Sequence, residues 1–341
     1  MSEVNRNASA SAFGWQFQIN MAIYLMIKYF GKFKAMKVEG EREDIEISLN
    51  NNKKIYAQAK SKQNINDGDT STYSSKLKKA LESLSEVNDN DSENLIYISN
   101  LEPNPLNSGT NEFALVSFLK YDELTTSSKE KIDIQLKKLG RNINKDKLII
   151  AKVPYFGEDK DTRKKFVITK IEDFLTFISS DLLPYKNRFL EMLESEAFHN
   201  STLNKMNLKI QREDVLWRLV ILKLGDSNLL KYDEAMGIEE EDFFDALDKY
   251  DKIINYKEAD FEIYNKMCNL IMKAKSENQN IRSNDFITKY ENEIYNIVFK
   301  ENKNSNMEVI EKASSKIIAK RIFIRKGNIM RMFERASKYE N

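Results

Sequence analysis

Between Asp44 and Lys60 the chain alternates apolar and polar positions on both sides of an Asn-rich break. Ile45, Ile47 and Leu49 alternate with Asp44, Glu46 and Ser48, and then Ile55, Ala57 and Ala59 alternate with Tyr56, Gln58 and Lys60. Period-two alternation marks half-buried strands, and Asn50 to Lys54 has the composition of a hairpin loop. A slip of one residue would turn a whole apolar set outward, so burial fixes which faces match. Keeping both apolar sets on one face sets Ile45 opposite Ala59, Ile47 opposite Ala57 and Leu49 opposite Ile55. On the other face Asp44 then stands opposite Lys60, and Glu46 opposite Gln58.

The same reading extends outward from the hairpin. Ser9 to Tyr29 is predicted as a helix capped by Ser9 or Ser11, with Phe13, Phe17, Met21, Tyr24, Leu25 and Ile27 as a broad apolar stripe. Gly31 is placed to stop it, and Lys34 to Glu39 is a strand leading into the hairpin. After Lys60 comes a polar loop, KQNINDGDTSTYSS, which leads to an amphipathic helix at Ser75 to Val87. The apolar run NLIYIS at Asn94 to Ser99 reads as a buried parallel strand. The order is αβββαβ, which a right-handed crossover closes into a mixed sheet.

Past the turn-rich EPNPLNSGTN, helices are predicted at Glu112 to Lys120 and Ser127 to Leu139, a strand at Lys147 to Val153, and a helix at Lys170 to Leu183. Pro184 marks a boundary. Beyond it only helical spacing is found, at Asn187 to Glu194, Arg212 to Leu224, Glu239 to Ile254, Asp260 to Ser276, Ser283 to Lys300 and Met307 to Ser337. The expectation is an α/β domain over residues 1–184 and an all-α domain over residues 185–341.

Composition narrows the chemistry. A chain of 341 residues holds two domains, and a net charge of +1 gives no global basic field, so any nucleic-acid binding must come from local patches. One cysteine excludes a disulfide framework and fits a reducing cytoplasm. The N-terminus lacks a signal pattern, and Ile19 to Ile27 is too short to cross a bilayer, so a cytoplasmic protein away from membranes is expected. With one histidine, His199, Cys/His zinc sites and His-dependent triads are excluded within one chain. Ten scattered glycines form neither GxxxxGK[ST] nor GxGxxG. What remains is carboxylate, amide and lysine chemistry.

The polar face of the hairpin has that chemistry. Opposite charges across a hairpin stabilise it by roughly 0.2–1 kcal/mol, which is the structural account of such a patch. The chemical account is a hard-metal site: Mg²⁺ takes one or two carboxylates plus water and phosphate oxygens, and a nearby lysine steadies charge developing on a phosphodiester. An acid on one strand and a Gln-x-Lys tripeptide on the next supply those groups. The last helix carries Lys316, Lys320, Arg321, Arg325, Lys326, Arg331 and Arg335 with few compensating acids. That stripe reads either as a solvated face or as a helix contacting phosphates or a partner. Lys62, Lys320, Arg321 and Arg325 are the candidate DNA-contacting cations.

Taken in order, FGWQFQ at Phe13 to Gln18, VEG at Val38 to Gly40, EDIEI at Glu43 to Ile47, YAQAKS at Tyr56 to Ser61, the helix KLKKALESL and the strand LIYISN make the N-terminal domain resemble the PD-(D/E)XK restriction-endonuclease-like nucleases. Within that group it is most similar to the double-strand DNA nuclease domain of bacterial anti-phage effectors, as in CBASS nucleases and Lamassu nuclease subunits. The resemblance spans roughly Ala10 to Asn100.

The resemblance implies Asp44 as the central metal ligand, Lys60 as the catalytic lysine, and Gln58 where many relatives carry an acidic ligand. It adds Glu39 as a further acid and Gln18 as a helix residue facing the site. Glu46 rivals Glu39, and Glu41 and Glu43 are competitors nearby. It further implies Mg²⁺ or Mn²⁺ as cofactor and double-stranded DNA as substrate, with an SMC-like ATPase and an accessory subunit as partners and a homo-oligomer when active. The rival readings are an RNA-directed nuclease and a catalytically inactive nucleic-acid-binding or scaffold subunit on the same fold.

Overall fold

Helix α1 (Ser9–Lys28) is buried on every side along its second half, where Ile19 to Ile27 form an unbroken buried run. A helix apolar all round belongs in a core, and the sheet is laid against it. In the computed structural model, which describes residues 9–63, 70–101, 112–113, 116–157, 159–202, 209–224, 237–255, 261–299 and 308–339, α1 packs on strands β1 (Phe33–Val38), β2 (Ile45–Leu49) and β3 (Lys54–Lys60). Helices α4 (Lys160–Ser179) and α5 (Lys186–Thr202) share that layer. Helices α2 (Thr70–Leu84) and α3 (Thr126–Leu139) form the opposite layer, α2 resting on β3 and on β4 (Ser92–Ser99).

The sheet has seven strands in the order β5-β6-β4-β3-β2-β1-β7, with β5 at Ser117–Lys120, β6 at Leu148–Lys152 and β7 at Ile210–Gln211. β3, β4 and β6 are parallel, and every other neighbouring pair is antiparallel. The fold is therefore a mixed α/β sheet between helical layers, followed by a helical region. Pairing brings Lys60 beside Ser99 and Ser99 beside Lys152. The carboxyl ends of the parallel strands thus line up with the start of β2.

The hairpin register differs from the expectation by two residues. Ile45 pairs with Ala57, Glu46 with Tyr56, Ile47 with Ile55 and Ser48 with Lys54. Burial sets only the parity, and parity is kept; the loop sets the offset. Leu49 N–H donates to the Lys53 carbonyl at 2.9 Å and Asn52 takes a left-handed φ of 63°. The loop is therefore the three-residue kind that ends in a left-handed residue, shorter than the five residues of Asn50 to Lys54.

Two further expectations are corrected. The segment read as a helix at Glu112 to Lys120 contains an edge strand instead, since β5 pairs with β6; a short apolar run does not distinguish the two states by periodicity. Past Pro184 the chain does contribute a strand, the two-residue β7 on β1. The turn-rich segment 102–111 and residues 64–69 of the polar loop lie outside the described residues.

Compact units comprise Met1–Arg212 with Ala336–Asn341, and Glu213–Arg335. The division comes later than Pro184, which sits in a 3-10 turn between α4 and α5 while α5 still packs on α1 and β1. The second unit contains all but the first residue of α6 (Arg212–Leu224), together with α7 (Glu240–Asn255), α8 (Phe261–Glu277), α9 (Ser283–Lys289), α10 (Glu291–Val298) and most of α11 (Glu308–Ser337). Tyr290 interrupts what the spacing predicts as one helix from Ser283 to Lys300. Among the described residues no helix is long and apolar enough to cross a membrane.

Candidate active site

A tight turn, residues 39–44, joins β1 to β2. Glu39 has φ 52°, its N–H donates to the Asp44 carbonyl at 2.8 Å, and Gly40 N–H donates to the Glu43 carbonyl at 2.9 Å. A side chain at position 40 would force Glu46 to shift, because a Cβ there would lie 2.6 Å from its Cγ and Oε1. The turn therefore delivers Glu39, Glu43 and Asp44 to one end of the hairpin.

Asp44 Oδ2 accepts a hydrogen bond from Lys60 Nζ at 2.9 Å and another from the Ala59 N–H at 3.0 Å. The two side chains, sixteen positions apart, form a partly buried ion pair. Glu39 accepts a hydrogen bond from Gln18 of α1. Burial and the charge of Asp44 push the Glu39 carboxyl above its ordinary range, against the pull of Gln18 and Lys60. Two carboxylates held within electrostatic reach of each other are a donor set that a cation relieves.

Gln58, buried, is anchored through its amide nitrogen, which donates to Glu43 and, at 3.4 Å, to Ser83 of α2. Ser83 Oγ also donates to Glu43, at 2.9 Å and 3.0 Å to its two oxygens. Pinning the nitrogen leaves the amide oxygen without a hydrogen-bond donor among the described residues. Glu43 itself is pushed up to about 7, chiefly by burial, with the hydrogen bonds from Gln58 and Ser83 opposing and the charge of Asp44 adding to the rise.

Among the described residues no three His, Cys, Asp or Glu side chains make a ready metal cluster. A divalent ion here would use Asp44, Glu39 and the Gln58 oxygen, completed by water, which is the sparing protein donor set Mg²⁺ takes. The residues fit such an ion.

The structure does not bring Glu46 into this group. Its carboxylate pairs with Lys54 at 3.0 Å and accepts the Arg42 N–H at 3.0 Å. Burial opposes its ionisation, yet Lys54 and the Arg42 amide pull it below its ordinary range. The two-residue register difference explains this, since Glu46 faces Tyr56 and not Gln58. Glu41 is exposed, 4.0 Å from Lys37.

Among the proposed DNA contacts, the Lys62 main chain is clamped by buried Asn100, which accepts the Lys62 N–H at 2.9 Å and donates to its carbonyl at 2.8 Å. In α11, Arg321 is buried, Arg325 donates to the Lys223 carbonyl, and Lys320 is half-buried. Of the stripe that reads either as a solvated face or as a phosphate-contacting or partner-docking one, these members face their own unit, while Arg331 and Arg335 are exposed. Glu43 appeared in the sequence only as one acid among several, and Ser83 and Asn100 were missed. The Glu43–Ser83 link joins residues 40 apart with no shared periodicity.

No protein-family model matches the chain, and no curated protein matches it. Among solved structures the chain is similar to the Moraxella osloensis Cap4 SAVED/CARF-domain containing receptor, at 11% identity and a TM-score of 0.39. That likeness covers 62% of this chain and 47% of the other, so the chain spans about half that protein's length. Agreement that loose carries no argument about function.

Proposed function

We propose that the N-terminal unit is a metal-dependent endonuclease on a restriction-endonuclease-like fold, hydrolysing phosphodiester bonds of DNA. The observation that carries this reading is the Asp44–Lys60 pair at 2.9 Å, with Glu39 and Gln58 gathered at the same end of the hairpin. A bound Mg²⁺ or Mn²⁺ would supply Lewis acidity and a water of lowered pKa. Asp44 and Glu39 hold the carboxylate donors, and Gln58 presents its oxygen because Glu43 and Ser83 fix its nitrogen. Lys60, oriented by Asp44, supplies positive charge where a phosphate gains negative charge. The open edge beyond β3, β4 and β6 is where ligands collect in α/β sheets.

The sequence resemblance extends the proposal to an anti-phage effector restrained by a partner such as an SMC-like ATPase. If the protein alone cuts DNA as fast as it does with its operon neighbours present, that restraint is wrong. The catalytic reading is tested with plasmid DNA, a matched RNA and Mg²⁺, using wild type, Asp44→Ala and Lys60→Ala. Cleavage by both variants at the wild-type rate, or by no form of the protein, leaves the inactive scaffold reading in its place.

A further inference from the structure

A cavity of about 860 Å³ opens between the start of α1, the start of α4 and the middle of α5. Its volume suits a small organic ligand rather than a single ion. Trp15 and Phe198 give it aromatic walls, and Phe198 is 56% exposed at its edge. Arg163 lies over the Phe13 ring, 5.1 Å from the centroid, and spends its Nε–H on the Gly157 carbonyl. Stacking in this way holds the guanidinium plane, and the remaining donors suit a phosphate oxygen.

Glu191 lines the same cavity, is exposed, and holds no ion pair among the described residues. The other carboxylate, Glu194, is neutralised by Lys164 at 2.5 Å and accepts a hydrogen bond from the Asn20 amide at 2.8 Å. Gln16 and Gln63 contribute amides. Gln63 also bounds the location, because it follows Lys60 by three residues. Three residues span at most about 11 Å, the rise of about three nucleotides of strand.

We propose that this cavity takes one unpaired nucleobase of the nucleic acid held at the Asp44–Lys60 group, and prefers bases bearing an exocyclic amino group. The proposal rests on the nuclease reading above. Aromatic walls accept the face of any base. A free carboxylate accepts from the amino group of cytosine or adenine, whereas thymine presents a carbonyl there. Arg163 takes the adjoining phosphate.

The test uses the full chain without metal. Trp217→Phe leaves Trp15 as the single indole, and its emission is followed on adding dCMP, dAMP, dTMP or deoxyribose 5-phosphate. The expected result is saturable quenching by dCMP and dAMP, with dTMP at least tenfold weaker and the sugar phosphate silent. Glu191→Gln should abolish the tenfold preference while quenching persists. Because Trp217 is buried, calorimetric titration of dCMP and dTMP into wild type and Phe198→Ala provides the same comparison without that substitution. Absent saturation, or a response to dTMP or to the sugar phosphate equal to that to dCMP, overturns the proposal. Wild-type protein that cleaves DNA yet ignores nucleotides overturns the cavity alone. Protein that binds dCMP with the stated preference but never cleaves supports the base-binding cavity and overturns the nuclease reading.

Discussion

The hairpin end and helix α11 both look like charge clusters in the sequence, and they are spent differently. At the hairpin, groups from the β1–β2 turn, β3 and α1 converge, with Asp44 holding Lys60 and the Gln58 nitrogen held by Glu43. In α11 several of the cations are turned into their own unit. Lys316 pairs with Glu291 at 3.0 Å, Arg325 donates to the Lys223 carbonyl, Lys326 reaches the Cys268 carbonyl at 3.5 Å, and Arg321 is buried. A charge serves a ligand only if its neighbours leave it something to bind with. By that criterion the basic stripe is mainly architectural, and the mixed-sign group beside the carboxyl ends of the parallel strands is the one that keeps groups for the proposed chemistry.

The largest effect separates the two regions by rate. Asp44→Ala and Lys60→Ala are each expected to lower plasmid cleavage about 10²–10³-fold, the usual loss for one charge-stabilising group. Arg325→Ala should cleave within about threefold of wild type. Comparable losses at Arg325 in the gel assay would erase the contrast.

A second effect concerns stability and pH in the metal-free protein. Glu43 titrates at about 7 in the fold against an ordinary 4.5, so between those values the folded state holds a proton that the unfolded state has lost. Stability from this group is complete below pH 4.5 and is lost as pH rises through 7. The difference corresponds to about 3 kcal/mol at 1.36 kcal/mol per pH unit. Burial removes solvent screening here, since Glu43 is 4% exposed. Urea unfolding should therefore show Glu43→Gln more stable than wild type at pH 8 and nearly equal to it at pH 4. A wild-type stability that is flat across this window would show that Glu43 is not buried against Gln58 and Ser83 as described.

These two regions also show what a sequence can convey. Alternation located β2 and β3 and put Gln58 and Lys60 on β3, because burial selects one face, while Asp44 falls in the turn one residue before β2. It missed the register, which depends on Asn52 turning left-handed in a shortened loop. Glu46 was consequently drawn toward Gln58 when it belongs to Lys54. β5 was read as helix because its apolar run is too short to carry a period, and β7 is two residues long. The orientation of Gln58 depends on Ser83, a contact between segments that no local pattern encodes. For α11, helical spacing gave the element but not the fate of its charges, which is decided by residues such as Lys223 and Glu291 elsewhere in the chain.

The architectural view of α11 carries its own cost estimate. A charged donor on a backbone carbonyl contributes about 1.5–3 kcal/mol, and Arg325 is half-buried, so Arg325→Ala should lower unfolding stability by about 1.5 kcal/mol. Denaturant titration gives the number. A stable variant with weakened DNA binding would return Arg325 to the role its sequence suggested.

The smallest effect lies at the exposed end of the same helix. Arg331 and Arg335 are both exposed, and substitutions at such surface positions change stability by about 0.5 kcal/mol or less. If they are solvated charges, the double variant Arg331→Ala, Arg335→Ala should bind DNA with an unchanged dependence of affinity on salt. If instead both meet phosphates, the slope of log affinity against log salt should become shallower by about 1.8, since each neutralised phosphate contributes about 0.9. A titration from low to moderate salt separates these outcomes even where the affinities at one salt concentration coincide. The slope counts released counterions and is insensitive to small losses of folded protein, so it reports on contact rather than on stability. An unchanged slope leaves α11 as a strut whose charges face its own unit or water, in contrast to the hairpin end.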